Sequence, residues 1–237
     1  MKYTSLPLIS VIIPCFNHGL FIEDAVYSIS KQSYCNIEII IVDDGSDDLV
    51  TIEKLKSIQI KYNATVVFQK NSKTSKARNT GFKHSKGKYI MILDADDLAD
   101  FTFIEKSYNI IEKYPRIGVV SSFGLCFGSE NFFWLPYGGG IKNFLNDINC
   151  PAFALIRREI WVENNGFDEN MLIGYEDWEF WINTTKKGHL IYIIEEFLYF
   201  YRQHGQTRAK DAFKARDSIV KYIQAKHPDV FLNCLEI

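Results

Sequence analysis

The sequence predicts an α/β fold built on a mostly parallel sheet, and three observations predict it. Strand-length runs that are apolar throughout recur along the first ninety residues, amphipathic stretches of helical length separate them, and acidic clusters stand at the ends of two runs. Strands apolar on both faces belong in sheets covered by helices on both sides. Ile9-Ser10-Val11-Ile12-Ile13-Pro14 reads as the first strand, with a helix over 20–32. Glu38-Ile39-Ile40-Ile41-Val42 and Ala64-Thr65-Val66-Val67-Phe68 are the next two strands, divided by a helix over 50–61. A third helix near 75–84 leads to Lys88-Tyr89-Ile90-Met91-Ile92-Leu93 as the fourth strand. Ligands of such sheets bind outside the carboxyl ends of the strands. Those ends are Pro14-Cys15-Phe16-Asn17, Asp43-Asp44-Gly45-Ser46 and Asp94-Ala95-Asp96-Asp97.

Beyond residue 100 the rhythm changes. A helix over 101–113 stops before Pro115, and 117–150 is richer in Gly, Phe and Asn, with strand-length pieces. A strand near 152–157, a helix over 159–165 and a turn at Gly166-Phe167-Asp168-Glu169 follow. A helix starts near Asp177, two strands lie near 190–201, and an amphipathic helix covers 211–226. No linker, repeat or low-complexity tract divides the chain, so one domain over 1–237 is expected, its halves sharing one sheet.

Composition narrows the function classes. With 47% apolar and 24% charged residues among 237, the chain is expected to fold as a soluble globule. Its 27 Lys+Arg against 29 Asp+Glu disfavour a dedicated nucleic-acid binder. From Lys54 to Leu93 ten Lys/Arg occur without an acid, but their spacing through helix and strand reads as a solvated basic face. The five cysteines, Cys15, Cys35, Cys126, Cys150 and Cys234, form no zinc or disulfide pattern. Neither a leader peptide nor an apolar run of about 20 residues is read, so a cytoplasmic location is expected.

No GxGxxG follows the first strand and no GxxxxGK[ST] occurs, which weakens dinucleotide-oxidoreductase and P-loop readings. Acidic strand ends offer hard oxygen ligands, which suit Mg²⁺ or Mn²⁺ with substrate phosphates in its shell. A lone Asp-x-Asp is more often a solvated turn; its place after an apolar strand, with Asp43-Asp44 at another strand end, reverses that preference. His18, His84 and His227 read as surface residues, Cys15 as packing, and Trp178 and Trp181 as core. Phe132, Phe133, Trp134 and Tyr137, ahead of Gly138-Gly139-Gly140, read as an aromatic platform for an acceptor.

Four motifs then occur in order: Ser10-Val11-Ile12-Ile13-Pro14-Cys15-Phe16-Asn17, Ile41-Val42-Asp43-Asp44-Gly45-Ser46, Ala77-Arg78-Asn79-Thr80-Gly81 and Gly87 through Asp97. Downstream stand Arg157-Arg158-Glu159, Gly166-Phe167-Asp168-Glu169, Glu176-Asp177-Trp178-Glu179 and Tyr201-Arg202-Gln203-His204. Over about residues 8–208 this set resembles a family 2 glycosyltransferase of the GT-A fold. The resemblance implies a nucleotide-sugar half over about 8–100, an acceptor half over about 101–208 and a C-terminal helical stretch over 209–237. It implies that Pro14, Phe16 and Asn17 floor the nucleotide pocket, that Asp43 and Asp44 meet the base, and that Arg78 and Asn79 lie near the ribose and diphosphate. Asp94 would reach the ribose or sugar, and Asp96 with His204 would hold Mn²⁺ or Mg²⁺. Arg202 and His204 would close over the diphosphate, and Asp177 would be the catalytic base. The implied partners are a nucleotide-diphosphate sugar, a UDP-sugar foremost, and a glycan or lipid-linked acceptor, with transient contact at the inner membrane face. Lys73 departs from the pattern, because many relatives carry glycine there.

The implied activity is distributive, inverting and metal-dependent, in surface polysaccharide or glycolipid synthesis. The chemistry agrees, since a carboxylate is ionised at neutral pH and can take the acceptor's proton during attack. Three alternatives stand beside it: a catalytically silent glycan- or nucleotide-sugar-binding module, a nucleotidyltransferase, and a nucleic-acid binder. The nucleotidyltransferase would carry a glycine-rich basic loop where this chain has Pro14-Cys15-Phe16-Asn17-His18-Gly19. Aromatics are concentrated in the second half, where 101–201 holds 23 of 35, so rings there exceed what a core alone requires.

Overall fold

The structure, a computed structural model, describes residues 6–205 and 208–231; Cys234 lies outside them. The first half alternates as its pattern requires: β1 (Ile9–Cys15), α1 (Ile22–Ser30), β2 (Ile37–Asp43), α2 (Leu49–Tyr62), β3 (Thr65–Phe68), α3 (Lys73–His84) and β4 (Tyr89–Ile92). The second half adds β5 (Leu98–Ala99), α4 (Phe103–Lys113), β6 (Ile117–Gly128), β7 (Phe132–Trp134) and a 3-10 helix at Ile141–Phe144. It continues with β8 (Ala154–Arg157), α5 (Arg158–Asn164), α6 (Glu176–Lys186), β9 (Leu190–Gln203), α7 (Arg208–Lys214), α8 (Arg216–Lys226) and α9 (Pro228–Phe231).

Among the described residues nine strands make one sheet, ordered β3-β2-β1-β4-β8-β6-β9-β5, with β7 paired to β6. The first four run parallel, and β8 enters antiparallel between β4 and β6. Burial follows the strand period of two. Ile9, Val11 and Ile13 pack with Ala25, Val26 and Leu55 on one face, whereas Ile12, Ile90 and Ile92 meet Trp161 and Phe180 on the other. Each such Ile or Val contributes about 1.5–3 kcal/mol by leaving water. Trp178 and Trp181 belong to the second core, and their indole N–H groups donate to the carbonyls of Phe144 and Cys150.

Two expectations are corrected. The pair of strands near 190–201 is the single strand β9. Its polar interruption is a bulge: Ser122 of β6 pairs with Ile194 and Phe123 with Phe197, so Glu195 and Glu196 loop out without ending the strand. The single helix over 211–226 is instead α7 and α8, broken at Ala215. Different neighbours hold the two pieces, since Ala212 lies against Gly174 and the Arg216 guanidinium sits over Trp178.

The basic run is not a free surface. Lys54 and Lys61 both donate to Glu23, Lys76 to Glu169 and Lys88 to Glu112, so acids distant in sequence offset part of it. No helix among the described residues is long and apolar enough to cross a membrane.

Candidate active site

The carboxyl ends of β1, β2 and β4 open onto a cavity of about 600 Å³. Pro14, Phe16, Asp44, Arg78, Asp94, Asp96, Asp177, Arg202 and His204 all line it, so most of the candidate residues converge on one space. Asn17, Asp43 and Asn79 do not line it. Each of the three has another task. Asn17, at φ 55°, donates to Asp47 and accepts from the N–H groups of Asp47 and Asp48, tying the β1–α1 loop to the β2–α2 loop. Asp43 is buried and accepts from the Ser46 hydroxyl. Asn79 follows Arg78 on α3, and successive helical residues face different directions. Its amide donates to Phe167 O and Glu169 and accepts from Phe167 N–H, fastening α3 to the turn at Gly166.

Asp44 shapes the β3–α3 turn. Its carboxylate accepts from Gln69 Nε2 at 2.6 Å, Ser72 N at 2.9 Å and Lys73 N at 2.8 Å. A carboxylate has about four lone-pair sites, so Asp44 keeps acceptor capacity toward the cavity. Lys73 adopts φ 72°, the left-handed region that glycine enters freely. The chain therefore preserves the turn with a strained lysine. Lys73→Gly is expected to stabilise the fold by about 1 kcal/mol, the low end of the left-handed penalty. A denaturant midpoint shifted upward at constant slope checks this; a downward shift contradicts it.

Arg78 is the buried hinge between the two walls. Its guanidinium is 2% exposed, donates to Glu176 Oε1 at 2.8 Å and to Asp94 Oδ1 at 3.0 Å, and sits over the Phe167 ring. Burial works against its charge, but the carboxylates of Asp94, Glu176 and Asp177 hold it protonated above its ordinary value. Asp94 belongs to the β4 strand end and Glu176 opens α6, so one side chain sets the spacing between them. Asp177 is half-buried as the second residue of α6, where Trp178 N–H donates to its Oδ1 at 2.9 Å. The helix cap is Tyr175 and not Asp177; Tyr175 takes φ 60° and follows Gly174 at φ 157°. A Cβ on Gly174 would meet Ala212 Cβ at 2.6 Å, so this approach to α6 requires glycine.

Asp96 stands between two imidazoles. His204 Nε2 lies 2.8 Å from Asp96 Oδ2, and His18 Nδ1 lies 3.8 Å from Oδ1. One ligand atom from each of the three residues lies within 4.8 Å of the others, and His18 Nδ1 is buried with no hydrogen-bond partner. Two imidazoles, a carboxylate and an orphaned ring nitrogen fit a divalent cation. His18 was expected at the surface; it is a cavity residue, reached because the loop after β1 turns across the strand ends. His227 is also corrected: it is buried and bonded to Glu179 and Lys186. Arg202 is fixed by its Nε donating to Asp96 O and by stacking between Phe21 and Phe127. Beneath it Asp97 is buried, and desolvation together with the Asp96 and Asp94 charges pushes its carboxyl well up. Cys15 lines the cavity, but burial pushes its thiol up to about 12, as suits packing.

Part of the cavity lining is aromatic. Trp134, Tyr175, Tyr199 and Tyr201 line it with Ile148. Of the four rings expected as a platform only Trp134 reaches the space; Phe132, Phe133 and Tyr137 are exposed outside it. Successive residues on β7 point to opposite faces, which separates Trp134 from Phe133.

Comparison with known proteins adds an independent line. The model of the family described as glycosyl transferase family 2 matches residues 10–163. Glycosyltransferase GlyG of Streptococcus pneumoniae is 29% identical over 259 residues, covering 97% of this chain and 83% of that protein. The putative teichuronic acid biosynthesis glycosyltransferase TuaG of Bacillus subtilis is 28% identical over 223 residues, covering 88% and 84%. Among solved structures, S. aureus TarS 1-349 in complex with UDP-GlcNAc superposes with a TM-score of 0.72 at 19% identity, over 86% of this chain and 61% of that one. Mannosyltransferase PcManGT from Pyrobaculum calidifontis, in complex with GDP-Man and Mn²⁺, gives 0.65 at 18% identity, over 90% and 61%. The chain thus spans about three fifths of these two structures, and the likeness to them is one of fold.

Proposed function

The chain belongs to glycosyl transferase family 2, and from that premise we propose that it moves a sugar from a nucleoside diphosphate to an acceptor hydroxyl, with inversion at the anomeric carbon. The observation that carries the proposal is the Asp94–Arg78–Glu176 bridge, which ties the β4 strand end to the start of α6 beside one cavity lined by both Asp96 and Asp177. Asp177 accepts the acceptor's proton while its oxygen bonds to the anomeric carbon. The bond from that carbon to the distal phosphate oxygen breaks, and its electrons leave with the nucleoside diphosphate.

Asp96 and His204 are the residues that would hold a divalent metal, which would supply positive charge against the leaving diphosphate. Arg202 adds a fixed positive charge beside Asp96, held so by its stacking and its bond to the Asp96 carbonyl. Asp44 and the pinned loops around it form the base end. The aromatic end, with Trp134 and Tyr201, receives the acceptor, whose class is a glycan or lipid-linked sugar of a surface polysaccharide or glycolipid. TarS in complex with UDP-GlcNAc and PcManGT with GDP-Man and Mn²⁺ support a nucleotide-sugar donor and a metal.

The test is transfer from a panel of UDP- and GDP-sugars to glycan acceptors, with and without EDTA. Transfer lost on chelation and restored by Mn²⁺ is expected. Activity untouched by EDTA removes the metal role of Asp96, and donor binding without transfer across the panel favours the silent binding module.

A further inference from the structure

We propose that His18 is a third protein ligand of the divalent metal, and that the resulting two-imidazole, one-carboxylate set selects a first-row transition-metal ion over magnesium. This rests on the metal-dependent reading of the same site. The β1–α1 loop carries His18 into position and keeps it there. Asn17 pins the loop to 46–48, and the His18 carbonyl accepts from the N–H groups of Phe21 and Ile22 at the start of α1. The ring meets His204 edge-to-face, with centroids 5.8 Å apart, and Phe21 at 6.4 Å. The Asp96 carboxylate is therefore addressed by an imidazole nitrogen at each oxygen.

Only one of the two contacts is a hydrogen bond. His204 Nε2 satisfies Asp96 Oδ2, whereas His18 Nδ1 faces Oδ1 from 3.8 Å, buried and unpartnered. Leaving a buried polar atom unpaired costs about 1–3 kcal/mol, so a fixed loop that strands one beside a carboxylate points to an absent partner. The oxygen that His18 Nδ1 faces is a lone-pair donor, and His204 Nε2 becomes one on giving up the proton it shares with Asp96, so the partner that suits all three groups is a cation. Imidazole ligands suit transition metals, whereas Mg²⁺ prefers an oxygen shell and gives up its waters reluctantly. The choice between Mn²⁺ and Mg²⁺ therefore turns on His18. With Asp96 and His204 alone, one nitrogen would be set against the oxygens of Asp96, diphosphate and water; with His18 the nitrogens double.

The experiment is pulsed EPR of the full chain loaded with Mn²⁺, alone and with UDP, beside calorimetric titrations of Mn²⁺ and Mg²⁺. Two imidazole nitrogen couplings are expected in the wild type, and one each in His18→Gln and His204→Gln. Mn²⁺ affinity should fall at least about tenfold in His18→Gln, since loss of even an outer-shell partner costs that much, while Mg²⁺ affinity changes less. An unchanged melting temperature shows that the variant folds. A single coupling in the wild type, both couplings retained in His18→Gln, or wild-type Mg²⁺ binding as tight as Mn²⁺ overturns the proposal. One coupling together with EDTA-sensitive transfer defeats this inference and leaves the proposed function standing. Two couplings with EDTA-insensitive transfer do the reverse, and absence of Mn²⁺ binding overturns both.

Discussion

Asp177→Asn should lower turnover by about 10²–10⁴-fold, the range for a positioned general base, while donor affinity stays within experimental error. The substitution keeps shape and removes only the capacity to take a proton. Asn Oδ1 can still accept from Trp178 N–H, so the start of α6 keeps its bond. The backbone that aims the residue is also untouched, because Gly174 and Tyr175 hold their left-handed conformations upstream. Calorimetric donor binding beside initial transfer rates separates the two effects. Full turnover with intact donor binding would place the base elsewhere. A parallel loss of donor affinity would mean that Asp177 faces the diphosphate and not the acceptor.

Arg78→Ala should cost about 3–5 kcal/mol of stability, the usual penalty for breaking a buried ion pair from one side. Glu176 is 5% exposed and would be left in the core without its guanidinium. Arg78→Lys should recover only part of the loss, because an ammonium lacks the planar fork that reaches Glu176 and Asp94 together. Replacing Arg78 and Glu176 by leucine in one chain should restore much of the stability and little of the turnover. The double variant removes the buried charges but also the bridge that spaces Asp94 from Asp177. Denaturant unfolding with transfer rates on the three variants checks this. A loss under about 1 kcal/mol for Arg78→Ala, below what a buried pair implies, would reduce the bridge to an ordinary surface contact.

The donor half was legible in the residues because its signals are local. Strands apolar on both faces, separated by helices, require a covered parallel sheet, and acids placed directly after Val42 and Leu93 must emerge at its carboxyl edge. What was not legible depends on pairs far apart in sequence. Arg78 meets Glu176 across 98 positions, and nothing near either residue announces the other. The acids that pair with part of the basic run lie outside it, so the run is less bare in the fold than in the sequence. His18 was misread because a lone histidine has no local partner at metal spacing; Asp96 and His204 reach it only through the sheet. The stretch read as two strands near 190–201 is one, because a bulge at Glu195 and Glu196 is absorbed without ending it. Lys73 shows the opposite case: its departure from glycine was visible in the sequence, but only the structure shows the same left-handed turn surviving it.

The anomeric configuration of the transferred sugar tests the central claim most directly. Asp177 and Asp96 line one cavity, and the proposed roles of base and metal ligand require a single displacement with the acceptor attacking opposite the leaving diphosphate. Proton NMR of the early product, made from an α-linked nucleoside diphosphate sugar, is expected to show a β-linked sugar and stoichiometric release of the nucleoside diphosphate. An α-linked product would contradict the account, because retention requires a second displacement or a front-side attack that this placement of Asp177 does not serve.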